Sequence, residues 1–295
     1  MNHNLLIAAT LAALLTAPDP GGKALHVEVF GSAPDVVLIT GLLGVAEGFH
    51  EVAVELEARG HRSLIVEPLG VGTSLRPKAA DYSLTAQAQR VAGVLDSFGV
   101  RKALVVGQGV SAAIAYRLAA ARPDLVRNVV ALEGGAPATA GTPSLARALR
   151  YAPLLRLFGG RKRVRHIFER QLKEASFDSS WVTPGVVDAY ARGPLRDLGA
   201  TIAAYRAMNR AREPVPLPEV LDRIACPVLV LRGEKGRVPQ SEVELVRRHV
   251  AMVVVQEIPN AGVFLHEERP AAVAAALTAF DSPGAIVLSG VEQRR

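Results

Sequence analysis

Gly107-Gln108-Gly109-Val110-Ser111-Ala112 is the stretch that decides the fold. It follows the apolar run Ala103-Leu104-Val105-Val106 and leads into an Ala-rich segment that Pro123 ends. A short apolar run suits a strand buried on both faces, and residues 110–121 suit a helix. The six residues therefore mark a sharp strand-to-helix turn. A turn of this kind reading G-x-S-x-G exposes a nucleophilic serine. Here the serine position is Gly109, which has no side chain.

The same rhythm extends in both directions. Upstream, residues 24–30 alternate as a strand, Gly31-Ser32-Ala33-Pro34-Asp35 makes a turn, and Val36-Val37-Leu38-Ile39 is a buried strand. Residues 46–59 read as a helix that Gly60 closes, and 63–66 as the next strand. Ser83 caps a helix with Leu84, Ala88, Val91, Leu95 and Phe98 on one stripe. Downstream, 129–132 is a strand. The rhythm breaks over 136–216, resumes with strands at 228–231 and 253–258, and ends in a helix carrying Val273, Leu277 and Phe280. Strands alternating with helices predict an α/β fold with a mostly parallel central sheet covered by helices on both faces. The divisions read as 24–135 and 217–281 for the core, 136–216 for a helical cap insertion, and 282–295 for a tail.

The composition bounds the function. The chain has 295 residues, 49% of them hydrophobic, and a net charge of +6. One cysteine, Cys226, rules out an intramolecular disulfide and reads as a buried structural thiol. No His, Cys and carboxylate spacing suits a metal, and no organic cofactor is implied. Aromatic residues make up 5% and do not interleave with the basic ones, so nucleic acid is not an expected partner. The basic run Arg161-Lys162-Arg163-Val164-Arg165 reads first as a solvated helix face, and secondarily as a contact for an anion or a membrane headgroup. The apolar run Leu5 to Ala17 is too short to span a bilayer. It fits the hydrophobic part of an export signal without a preceding Lys or Arg, or an apolar N-terminal segment of a cytoplasmic protein. Residues 1–23 are accordingly set apart from the fold.

Taken together, these segments resemble an α/β-hydrolase of the capped branch, over residues 24–281. Leu38-Ile39-Thr40-Gly41-Leu42-Leu43-Gly44 resembles that family's first loop, normally H-G-x-x-G. Glu67-Pro68-Leu69-Gly70-Val71-Gly72-Thr73-Ser74 resembles its D-x-x-G-x-G-x-S turn. Residues 104–111 resemble its nucleophile elbow, 229–236 the strand and loop presenting the acid, and 258–264 the loop presenting the histidine.

The family's chemistry needs a serine, a histidine that takes its proton and a carboxylate that orients the histidine. The resemblance places Gly109, Val263 and Gly236 at those three positions, and Thr40 at the first-loop histidine. Its oxyanion hole corresponds to the backbone N–H groups of Leu42 and Val110. Substitutes are Ser111 as nucleophile, Glu133 as acid and His266 as base. For each a structural role is the competing reading: a small packing residue, a hydrogen-bonded carboxylate and a helix-start residue. The expectation is a protein without the usual triad that binds a small apolar or ester-like ligand, or a partner, under the cap. The alternative is an atypical enzyme, working by non-hydrolytic acid–base chemistry or residual ester hydrolysis.

Overall fold

The computed structural model describes residues 15–18, 24–140 and 160–282. They build one eight-stranded sheet in the order β1-β2-β4-β3-β5-β6-β7-β8. The strands are β1 (Leu15–Pro18), β2 (Ala24–Phe30), β3 (Val36–Ile39), β4 (Ser63–Glu67), β5 (Ala103–Gln108), β6 (Val126–Leu132), β7 (Val228–Gly233) and β8 (Val253–Ile258). β2 runs antiparallel to both β1 and β4, and every other pairing is parallel.

Alternation along the strands builds two layers. Val37, Ile39, Leu64, Val66, Val105, Val129, Val228 and Val230 face one side. There they meet α2 (Leu84–Ser97) and α3 (Ala112–Ala121). Val36, Leu38, Ile65, Leu104, Val106, Val130, Leu229 and Leu231 face the other, against α1 (His50–Ala58) and the closing helix, α10 (Pro270–Asp281). Period-two side chains on strands covered on both faces give the continuous apolar runs seen in the sequence.

Between β6 and β7 come α4 (Arg161–Ala175), α5 (Pro184–Arg196), α6 (Leu198–Arg210) and α7 (Leu217–Leu221). The helices α8 (Gln240–His249) and α9 (Leu265–Glu268) flank β8. Ser83 caps α2 by accepting from Ala86 N at 3.1 Å. Glu213 completes that helix start, accepting from Leu84 N at 2.7 Å and Thr85 N at 3.1 Å, while the buried Arg117 lies 3.4 Å from its carboxylate. A carboxylate at the positive end of a helix dipole is well placed.

One expectation changes. Leu15–Pro18, inside the segment set apart from the fold, pairs with Ala24–Val27 as an edge strand. The outer edge of β2 offers unpaired backbone groups, and a strand carrying Pro18 is tolerated only at such an edge. Residues 1–14, which hold most of the apolar run Leu5 to Ala17, lie outside the described residues, as do 19–23, 141–159 and 283–295. No described helix is long and apolar enough to cross a membrane.

Candidate functional site

The carboxyl ends of β3, β5, β6, β7 and β8 carry the loops that matter, the usual place for a ligand in an open α/β sheet. β5 ends in a 3-10 turn, Gly109–Ser111, that hands over to α3. A Cβ on Gly107 would stand 2.3 Å from Ser111 O, so only glycine permits a turn this tight. Gly109 has φ +56°, and a Cβ there would meet nothing within 4 Å. The elbow is thus formed, with open space where a nucleophile would project.

The first loop is tied to the elbow. Gln108 Oε1 accepts from Gly41 N at 2.9 Å, and Gly44 N donates to Gly41 O at 2.9 Å. Ser111 is fully buried, and its hydroxyl donates to Thr40 O at 2.7 Å. Ser111 therefore joins two loops through the bond a nucleophile would need free. From α6, Tyr205 OH donates to Leu42 O at 2.7 Å. The N–H groups of Leu42 and Val110 meet no acceptor among the described residues, and both residues are half-buried.

On the acid side, Glu133 follows β6 with φ +45°, a conformation that costs a side-chain-bearing residue free energy. Its carboxylate accepts from Gly233 N at 2.9 Å and from Arg237 N. A Cβ on Gly236 would lie 2.5 Å from both Glu133 carboxylate oxygens. The space beside Gly236 is therefore filled by the carboxylate of the residue that follows β6. Burial raises the Glu133 pKa above the usual carboxylate range even though backbone N–H groups pull it down.

On the histidine side, Val263 N donates to Ala175 O at 2.9 Å, at the end of α4. A Cβ on Gly262 would meet that same oxygen at 2.4 Å. Glu268 gathers the two segments, accepting from Gly262 N at 2.9 Å, Phe177 N at 2.8 Å and Asp178 N at 3.0 Å. His266 is 1% exposed, its ring 4.7 Å from that of Phe49 and its Nδ1 without a partner. Burial lowers its pKa to about 3, so it is neutral at physiological pH. Glu133 and His266 are therefore each held by packing of their own. Glu133 and Gly236 are brought together, while Val263 is joined to the insertion.

The groups that join insertion to core carry no signal in the sequence. Tyr190 OH on α5 donates to Glu267 Oε1 at 2.7 Å, and Arg192 pairs with Glu47. Gly193 packs so closely on Gly72 that a Cβ would be 1.8 Å from Gly72 O. Burial pushes Glu267 up from 4.5 to about 7, against the opposing Tyr190 hydrogen bond and the nearby His50. Beside them, Glu28 sits between His26 Nε2 at 3.0 Å and His50 Nε2 at 2.5 Å. Burial opposes its charge, but the two imidazoles outweigh burial and hold it at about 2. Gln108, Tyr205 and Tyr190 lie 67, 163 and 77 positions from their partners, so no local spacing marks them.

An elbow after β5, a first loop folded against it, and loops after β7 and β8 in this strand order define an α/β-hydrolase scaffold. The chain belongs to the alpha/beta hydrolase family, whose model matches residues 36–276. It is 24% identical over 253 residues to the sn-1-specific diacylglycerol lipase ABHD11 of Mus musculus, a match covering 84% of this chain and 80% of that protein. It is 25% identical over 266 residues to the 2-(acetamidomethylene)succinate hydrolase of Mesorhizobium japonicum, covering 89% of this chain and 93% of that protein. Among solved structures, Cfl2 from Burkholderia cenocepacia matches with a TM-score of 0.75 at 22% identity, over 90% of this chain and 94% of that one. At that identity the likeness shows the fold.

Proposed function

We propose that this protein is a ligand-binding member of its family that has lost the serine–histidine–acid chemistry. The observation that carries this reading is the occupancy at the three positions. Gly109 offers open space, position 236 is filled by the Glu133 carboxylate, and the Val263 loop is bonded to the end of α4. An elbow without a nucleophile still has the N–H groups of Val110 and Leu42, which suit a ligand carbonyl or ester oxygen. Gly109 leaves room for the atoms around that oxygen. The ligand is small and apolar or ester-like, held between the elbow and the helical cap of residues 136–216.

The second reading, catalysis on the same scaffold, is favoured by relatives that are named as hydrolases. It would need Ser111, Glu133 and His266 to act, yet each already has a structural employment in hydrogen bonding or packing. Labelling with a fluorophosphonate probe and turnover of short-chain nitrophenyl esters separate the two. The binding reading expects neither, together with a rise in melting temperature on adding non-hydrolysable ester analogues. Labelling that disappears in Ser111→Ala would overturn it.

A further inference from the structure

The net charge of this chain is not spread over its surface. Of 34 Lys/Arg and 28 Asp/Glu, residues 136–216 hold 14 and 6, leaving 20 and 22 for all the rest. The whole positive excess thus belongs to the insertion. Among the described residues of the insertion, the start of α4 carries three consecutive exposed cations. Val164 and Leu172 turn inward and are buried. Arg165 pairs with Asp188, Lys173 with Glu169, and Arg170 lies 3.8 Å from Glu174. Arg161, Lys162 and Arg163 are exposed and meet no acid among the described residues.

Three unpaired cations in the first turn sit at the positive end of the helix dipole, where acidic residues are the stabilising choice. Their mutual repulsion is not relieved inside the described fold. An external surface of negative charge relieves it, and binding there strengthens with each cation brought near. The half-buried Ile167 lies about one turn further along the same helix, while Phe168 packs inward against the cluster of Leu172, Val187 and Tyr190. With few aromatic side chains to stack on bases, the patch matches a charged lipid surface better than a nucleic acid.

We propose that the exposed basic start of α4 docks this protein peripherally on an anionic phospholipid surface. The proposal stands whether the elbow binds its ligand or transforms it. Docking through the start of α4 would tie the insertion to the bilayer.

The test is co-sedimentation of the full chain with vesicles of phosphatidylcholine alone and with 30% phosphatidylglycerol. Binding is expected only to the anionic vesicles, and is expected to vanish at high salt, where screening is strong. Each cation removed should cost roughly fivefold in affinity, so Arg161→Gln/Lys162→Gln/Arg163→Gln should lose on the order of a hundredfold. The control Arg223→Gln/Arg247→Gln/Arg248→Gln removes the same charge from the core and should bind much as the parent does. Circular dichroism checks that both variants fold. Equal binding to neutral vesicles, an equal loss in the control, or tighter binding to duplex RNA than to anionic vesicles would each overturn the proposal.

Discussion

The carboxylate of Glu133 stands where a side chain on Gly236 would have to stand, 2.5 Å from the position of its Cβ. The pair couples the end of β6 to the loop after β7 through the N–H groups of Gly233 and Arg237. Gly236→Ala should therefore push the carboxylate off these donors. An expected loss of about 2–4 kcal/mol combines overpacking with buried groups left unpaired. Urea unfolding measures it. The Glu133→Gly background should remove the clash, so the two changes together should cost clearly less than their sum. Additive costs would show that the two residues do not meet.

Gly109→Ser should be tolerated. The space is open, and the penalty is the positive φ, on the order of 1 kcal/mol for a residue with a side chain. Alone it should confer no fluorophosphonate labelling, because the candidate base His266 is neutral, buried and packed on Phe49. Adding Val263→His while Glu133 keeps its place is the informative reversion. Restored ester turnover in that double variant would show that Glu133 serves as the acid from β6.

Ser111→Ala removes the bond to Thr40 O and leaves a buried carbonyl unpaired. A loss of about 1–2 kcal/mol in stability is expected, with no change in probe labelling. A stability unchanged within error would separate Ser111 from the first loop.

Glu267 makes stability depend on pH. Its folded pKa of about 7 lies above its ordinary 4.5, so the folded state holds the proton more tightly. That contribution is fully present below pH 4.5, falls as pH rises, and is gone above about 7. Glu267→Gln imitates the protonated form and keeps a partner for Tyr190. It should match the parent near pH 4.5 and be more stable at pH 8, by as much as about 3 kcal/mol. Melting curves at both pH values decide it, and parallel pH profiles would refute it.

His266→Phe replaces a ring whose buried Nδ1 has no partner. Thermal stability should hold or rise, since an apolar ring stacks equally on Phe49. If the variant lost ligand binding or any activity found, His266 would have a role beyond packing.

Much of the fold was legible because each strand carries its own signal. Val36–Ile39 and Ala103–Val106 are apolar throughout since both faces of the sheet are covered. Ser83 announces α2, and Gly107 announces the elbow, since no other residue allows Ser111 O so near. Leu15–Pro18 was not legible: an edge strand of four residues has no periodicity of its own and is fixed by its partner β2. The site divides in the same way. The loops that carry Gly109, Gly236 and Val263 can be recognised in the sequence, whereas what fills the space around these residues cannot.

The sequence by itself determined most of the sheet and its helical layers, because these depend on residue type and local spacing. Only the tertiary structure decided that Glu133 occupies the space beside Gly236, that Ser111 is bound to Thr40, and that Val263 is joined to Ala175. These contacts link segments 71 to 103 positions apart, and packing brings them together, with no pattern along the chain to announce them.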